Sequence, residues 1–185
     1  MGMFLQTMII PDTTEDKVRS AVEKAAKEQA EGEAMGLVPQ ECRYQVHGNG
    51  VSVLLNDDCV GFEDLAAVLS EKIGRPVLML YIYDEDFWGY FLLENGVVKD
   101  TFNPMPDYFE EIPEEEKESM KGNAALVAEY FHVDAASIEK YLVFWTEDML
   151  ENEGQKAYEE DEYEMGEDWQ MADFMRSLGY PYEWE

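Results

Sequence analysis

The chain of 185 residues carries 42 acidic against 13 basic side chains, a formal net charge of −29 and an isoelectric point near 4.1. Such a field repels phosphate backbones and anionic lipid and attracts cations and basic proteins, which sets direct nucleic-acid binding aside. An apolar fraction of 46% with 13% aromatic residues is too rich for a disordered acidic chain and is enough for one sizeable core or two small ones.

In chain order, "MFLQTMII" predicts a short strand closed by Pro11. "DTTEDK" then opens a helix, with Thr13 or Thr14 as cap and acids in the first turn. Val18, Ala21, Val22 and Ala25 share one face of it. The helix fades before Gly32, and residues 31–41 read as a loop. Alternating Cys42, Tyr44 and Val46, a Gly-Asn-Gly turn, and alternating Val51, Val53 and Leu55 signal a hairpin. Phe62, Leu65, Leu69 and Ile73 are spaced for one face of a second helix, with Glu63 and Asp64 in its first turn and Gly74 at its end. "VLMLYIY" is a continuous apolar run, as a strand covered on both faces requires. "FWGYFLL" and "VVKDTF" flank Asn95–Gly96, a strong hairpin turn. The order β-α-β-β-α-β over residues 3–83 is that of a ferredoxin-like sheet, here extended by a β-hairpin.

Beyond Phe102 a proline-rich connection leads into residues 113–145, which read as helical, with Pro113 at a first helical position and Asn123 and Asp134 as caps. The last element is "DWQMADFMRSLG": Asp168 caps it, Trp169, Ala172, Met175 and Leu178 share a face, and Gly179 ends it. The expected organisation is therefore an α+β sheet domain over 1–102 and an acidic, mainly helical region over 103–185 packed on it. Residues 1–102 hold 18 acids and 8 bases, and residues 103–185 hold 24 and 5.

Candidate chemistry is sparse. In "DEDFWGYFLLEN" Asp84, Asp86 and Gly89 fit a calcium loop, but Trp88 and Asn95 stand where ligands are required. A strand after an acidic turn explains the same residues better. His47 and His132 lie in no metal-binding spacing. Cys42 and His47, five residues apart, point to opposite faces of a regular strand and so make a poor nucleophile–base pair. No phosphate-binding, dinucleotide or nucleophile-elbow motif is present, and no catalytic residue, metal or cofactor is expected. "AYEEDEYEMGEDW" differs from a plain acidic run because aromatics interleave its carboxylates. Tyr158, Glu160, Asp161, Glu162, Tyr163, Glu164, Glu167 and Asp168 form a candidate interaction surface. Tyr and Trp are typical interface anchors, and the acids would pair with Arg and Lys of a partner.

"GYFLLENGVVKDTFNPMPDYF", "GNAALVAEYFHVDAASIEKYLVFW" and "KAYEEDEYEMGEDWQMADFMRSLG" resemble blocks in small acidic bacterial proteins of uncharacterised function, over roughly residues 86–180. In general style the chain is also similar to immunity proteins of bacterial toxin systems. The resemblance implies a bacterial cytosolic protein and carries no catalytic residue. Two cysteines, no apolar stretch of membrane-spanning length and no basic leader at the start agree with a cytoplasmic expectation. A cytosolic binding protein, immunity- or antitoxin-like, that meets a basic protein partner is the leading expectation. An enzyme using carboxylates in a cleft between the two halves and a housekeeping interaction module are the alternatives, with oligomeric state left open.

Overall fold

The structure, a computed structural model, describes residues 2–29, 35–151 and 154–184. Six strands form one antiparallel sheet. They are β1 (Leu5–Ile10), β2 (Arg43–His47), β3 (Gly50–Leu54), β4 (Val77–Tyr83), β5 (Phe87–Glu94) and β6 (Val97–Phe102), in the order β2-β3-β1-β4-β5-β6. Helix α1 (Glu15–Gln29) follows β1 and helix α2 (Phe62–Ile73) follows β3, so the fold is α+β. Of the expected 31–41 loop, residues 31–34 lie outside the described residues. The chain forms two compact units, one of Phe4–Tyr81 with Phe91–Lys99, the other of Met1–Met3, Ile82–Tyr90 and Asp100–Glu185.

The first unit follows from apolar periodicity. Val18, Ala21, Val22 and Ala25 of α1 and Leu65, Ala66 and Leu69 of α2 are buried with Met8, Ile10, Val51, Val53, Val77 and Met79 in one core. Register places Met8 opposite Val53 and Ile10 opposite Val51, so both strands turn these side chains to the same face. Thr14 rather than Thr13 stands before α1, and its carbonyl accepts from Val18 N–H at 3.2 Å. Gly61 has no side chain to cap α2. Gln6, buried on β1, supplies the acceptor instead: its Oε1 takes the Phe62 N–H at 3.0 Å. Gly74 ends α2 at φ 68°, and Asn95 and Gly96, both at positive φ, turn β5 into β6.

In the second unit, Asp84 and Glu85 at positive φ make the turn into β5, so residues 87–94 of the calcium-loop pattern are strand. Helices α3 (Glu114–Glu118), α4 (Ala124–Phe131), α5 (Glu147–Glu151) and α6 (Gln170–Ser177) follow. Asn123 caps α4 as expected, its side chain accepting from Leu126 N–H at 3.1 Å. Pro113 sits one residue outside α3 rather than at its first position. The continuous helix expected after Asp134 is replaced by single 3₁₀ turns over Ala135–Ser137 and Glu139–Tyr141. Asp134 accepts from Ala136 N–H at 3.0 Å and Ser137 Oγ donates to the Asp134 carbonyl at 2.6 Å, local bonds that compete with helix propagation.

Helix α6 is folded into this unit by part of the expected face, Met175 and Leu178, joined by Met171 and Phe174. Met171, Phe174, Met175 and Leu178 are its buried residues of large apolar type, while Trp169 and Ala172 are half-buried. Phe174 stacks on Tyr90 with ring centroids 5.8 Å apart and 6° between planes, and lies 5.1 Å from Trp88. That aromatic slot takes Phe174, a residue outside the expected face, and leaves Trp169 partly solvated. Trp169 also displaces Asp168 from the capping role: it occupies the N-cap position, and no side chain caps the helix.

Candidate functional site

The acidic segment after Ala157 is held by a polar knot. Asp161 is 3% exposed. It accepts from Tyr141 O–H at 2.6 Å, from Tyr158 N–H at 2.9 Å and from Arg176 Nη2 at 3.2 Å. Asp173, 1% exposed, accepts from the N–H groups of Glu162 and Tyr163, the latter at 2.8 Å, and from Arg176 Nη1 at 2.7 Å. One guanidinium thus bridges two buried carboxylates, and both oxygens of each carboxylate are engaged, as burial of charge demands. Asp161, expected on the outer surface with its neighbours, is a structural residue. Its backbone lies next to exposed acids, but its side chain is the acceptor on which the segment folds.

Above the knot a cavity of about 230 Å³ opens. Tyr163, Trp169, Pro181 and Tyr182 give it apolar walls, and Glu162, Asp173, Arg176 and Glu183 line the rest. Trp169 lies 6.3 Å from Tyr163 at 30° and 5.3 Å from Tyr182 at 71°, so three rings adjoin under exposed Glu162 and Glu183. Burial and the carboxylates of Glu162 and Asp173 hold the Tyr163 hydroxyl above its ordinary range, which keeps it a neutral donor.

The expected surface is only partly assembled here. Glu162 and Tyr163 line the cavity. Glu160 is exposed beside it, with its carbonyl accepting from Arg176. Glu164 and Glu167 brace the loop: Glu164 accepts from Gly154 N–H at 2.6 Å, and Glu167 accepts from Glu164 N–H at 2.6 Å. Tyr158 turns away to the 136–141 segment, donating to the Ala136 carbonyl at 2.6 Å, with its ring 5.1 Å from that of Tyr141 at a tilt of 54°. Pro181, Tyr182 and Glu183 escape a reading that stops at Gly179, although "YPYEWE" carries the same acidic-aromatic interleaving. Arg176 escapes it because a single base on a short helix has no periodicity.

Asp168 is not among the residues that line the cavity. Its Oδ2 is buried without a hydrogen-bond partner. Burial raises its pKa, with the neighbouring Glu85 and Glu167 adding to the effect. A carboxyl whose folded pKa exceeds the unfolded value of about 3.9 penalises the fold as pH rises through the folded pKa and costs nothing below the unfolded one. Asp168→Asn should therefore raise the melting temperature at neutral pH, and the gain over the parent should vanish below about pH 4. Paired thermal melts at both pH values check this.

The two cysteines are buried. Desolvation pushes the Cys42 thiol up to about 11, and its Sγ contacts the Val38 carbonyl at 3.5 Å, while His47 Nε2 lies 2.9 Å from Ser52 Oγ. Among the described residues no group of three His, Cys, Asp or Glu side chains is placed to hold a metal. No helix of the described residues is long and apolar enough to cross a membrane. Comparison with protein-family models, curated proteins and solved structures finds no match.

Proposed function

We propose that the chain is a binding protein that uses the groove around Tyr163, Trp169 and Tyr182, with its rim of carboxylates, to hold a basic protein partner. The observation that carries this reading is the coincidence of adjoining half-buried rings with the most acidic part of the chain. Aromatic walls supply contact area at low entropic cost, and like-signed carboxylates steer a cationic partner toward them. The buried carboxylates Asp161 and Asp173 already have their acceptors occupied, which favours binding over general acid–base work at this site. The fuller reading is a bacterial cytosolic protein of immunity- or antitoxin-like style on a ferredoxin-like sheet. The β1-α1-β2-β3-α2-β4 order and the central β2-β3-β1-β4 arrangement support that topology. Its acidity argues against nucleic acid as a direct ligand.

Changing the exposed Glu159, Glu160, Glu162 and Glu183 together to Gln tests the electrostatic half of the reading. Association with a basic protein should slow by about ten-fold at low salt and lose most of its salt dependence. Stability should stay equal or rise slightly, because crowded like charges are relieved. Stopped-flow rates that do not change in the neutralised variant would remove the steering role.

A further inference from the structure

Resting on the reading of the cavity around Trp169 as the site for a basic protein, we propose that this cavity is an aromatic cage for one methylated lysine side chain of that partner. Its apolar walls are the rings of Tyr163, Trp169 and Tyr182, and Glu162 and Glu183 in its lining are exposed. Its volume of about 230 Å³ lies below the ~300–1,000 Å³ of pockets that hold drug-sized ligands. It equals the liquid volume of roughly seven or eight waters, which suits a trimethylammonium group with its first methylenes.

Three observations select the occupant. The first is ring geometry: the Tyr163 and Trp169 planes are inclined by 30° and Tyr182 stands at 71° to Trp169, so the walls of the cavity run in two directions. A cation gains from each ring face it meets, and from tryptophan most of all. The second is charge. Arg176 is the one base in the lining, and it is engaged by Asp161 at 3.2 Å and Asp173 at 2.7 Å, which leaves Glu162 and Glu183 to set the field at the mouth. The third is that the buried carboxylate of the lining has no acceptor to spare. Asp173 Oδ1 takes the Glu162 N–H at 3.1 Å and Arg176, and Oδ2 takes the N–H groups of Glu162 at 3.0 Å and Tyr163 at 2.8 Å. A primary ammonium or a guanidinium brings N–H donors that need acceptors once they leave water, and Asp173 offers none. A trimethylammonium group has no donor to satisfy, and ring faces suffice to meet its charge. A lysine side chain, rather than a free small cation, is the source because only a peptide brings basic neighbours for the exposed carboxylates.

The test titrates the full chain, at physiological ionic strength, into three fluorescein-labelled basic peptides read by anisotropy. They share one Gly-, Ser- and Arg-containing sequence and differ at a central residue: trimethyllysine, lysine, or the neutral isostere in which carbon replaces the charged nitrogen. The trimethyllysine peptide should bind about ten-fold more tightly than either of the others. Trp169→Leu and Tyr182→Leu keep an apolar wall and remove a ring face. In each, with circular dichroism confirming the fold, the preference for trimethyllysine over lysine should fall to about one, a ratio that a merely structural role would not move. Equal affinities for the trimethyllysine and lysine peptides would overturn the cage and leave the acidic site for a basic protein standing. Equal affinities for the trimethyllysine peptide and the neutral isostere, or an unchanged preference in both leucine variants, would also overturn it. Choline that binds as tightly as the trimethyllysine peptide would overturn the assignment to a protein side chain. No saturation by any of the three peptides below about 1 mM would overturn the proposal together with the reading it rests on.

Discussion

Asp161→Ala should lower the stability of the fold by about 3 kcal/mol, whereas Glu160→Ala, one residue earlier, should change it by less than about 0.5 kcal/mol. The contrast follows from what each carboxylate touches. Asp161 is inaccessible and accepts from a hydroxyl, a backbone N–H and a guanidinium. Alanine leaves the Tyr158 N–H without its acceptor and Arg176 with only Asp173 of its two carboxylates, and removing one partner of a buried pair costs far more than the pair contributes. Arg176 is partly solvated, which puts the loss at the lower end of the range for buried pairs. Urea unfolding of both variants under identical buffer measures the difference directly. Equal midpoints for the two variants would mean that the knot does not hold the segment.

Phe174→Ala should cost about 3–5 kcal/mol, a large share of the 5–15 kcal/mol typical of whole domains. The ring is fully buried and is packed by Trp88, Tyr90 and Tyr141, the last edge-on at 5.8 Å. These neighbours belong to a strand and a 3₁₀ turn that cannot close over the vacated volume without moving the sheet. Trp169→Ala should cost less, about 1–2 kcal/mol, although tryptophan is larger, because its ring is partly solvated at the groove. The pair reverses the ranking that side-chain size alone suggests. Chemical denaturation with an unchanged m-value would show that the loss is one of stability rather than of cooperativity.

Punctuation and period made the sheet unit legible. Pro11, the Gly-Asn-Gly turn, Gly74 and Asn95–Gly96 all fall where the chain must turn, and helical spacing selects the inner face of α1 in full and Leu65 and Leu69 of α2, where Ala66 and Ser70 are buried in place of the partly exposed Phe62 and Ile73. The rest depended on tertiary partners. In α6, Trp169, Met171, Phe174, Met175 and Leu178 make two overlapping apolar stripes. The choice between them rests on the ring slot at Trp88 and Tyr90, more than 80 residues away in sequence. Asp161 bears no mark among its acidic neighbours. Its burial is set by Tyr141 and Arg176, 20 and 15 residues distant. The 3₁₀ turns after Asp134 were hidden because Asp and Ser read equally well as helix caps and as competitors for the backbone. For the candidate site, the acidic-aromatic character was visible, but the residues that close the groove lie beyond Gly179, where helical periodicity no longer selects them.

A chain of net charge −29 attracts any polycation, so binding alone does not separate a built site from a diffuse field. Replacing Tyr163 and Tyr182 together by Ala leaves the charge of the chain unchanged and removes the walls on either side of Trp169. The decisive measurement is the affinity of parent and double variant for one basic protein ligand, by calorimetry at physiological ionic strength, with circular dichroism confirming that both are folded. A recognition groove predicts a loss of at least about thirty-fold, the size of a contact hot spot, with the salt dependence unchanged. Equal affinities would contradict the account and leave the acidic surface as a non-specific field.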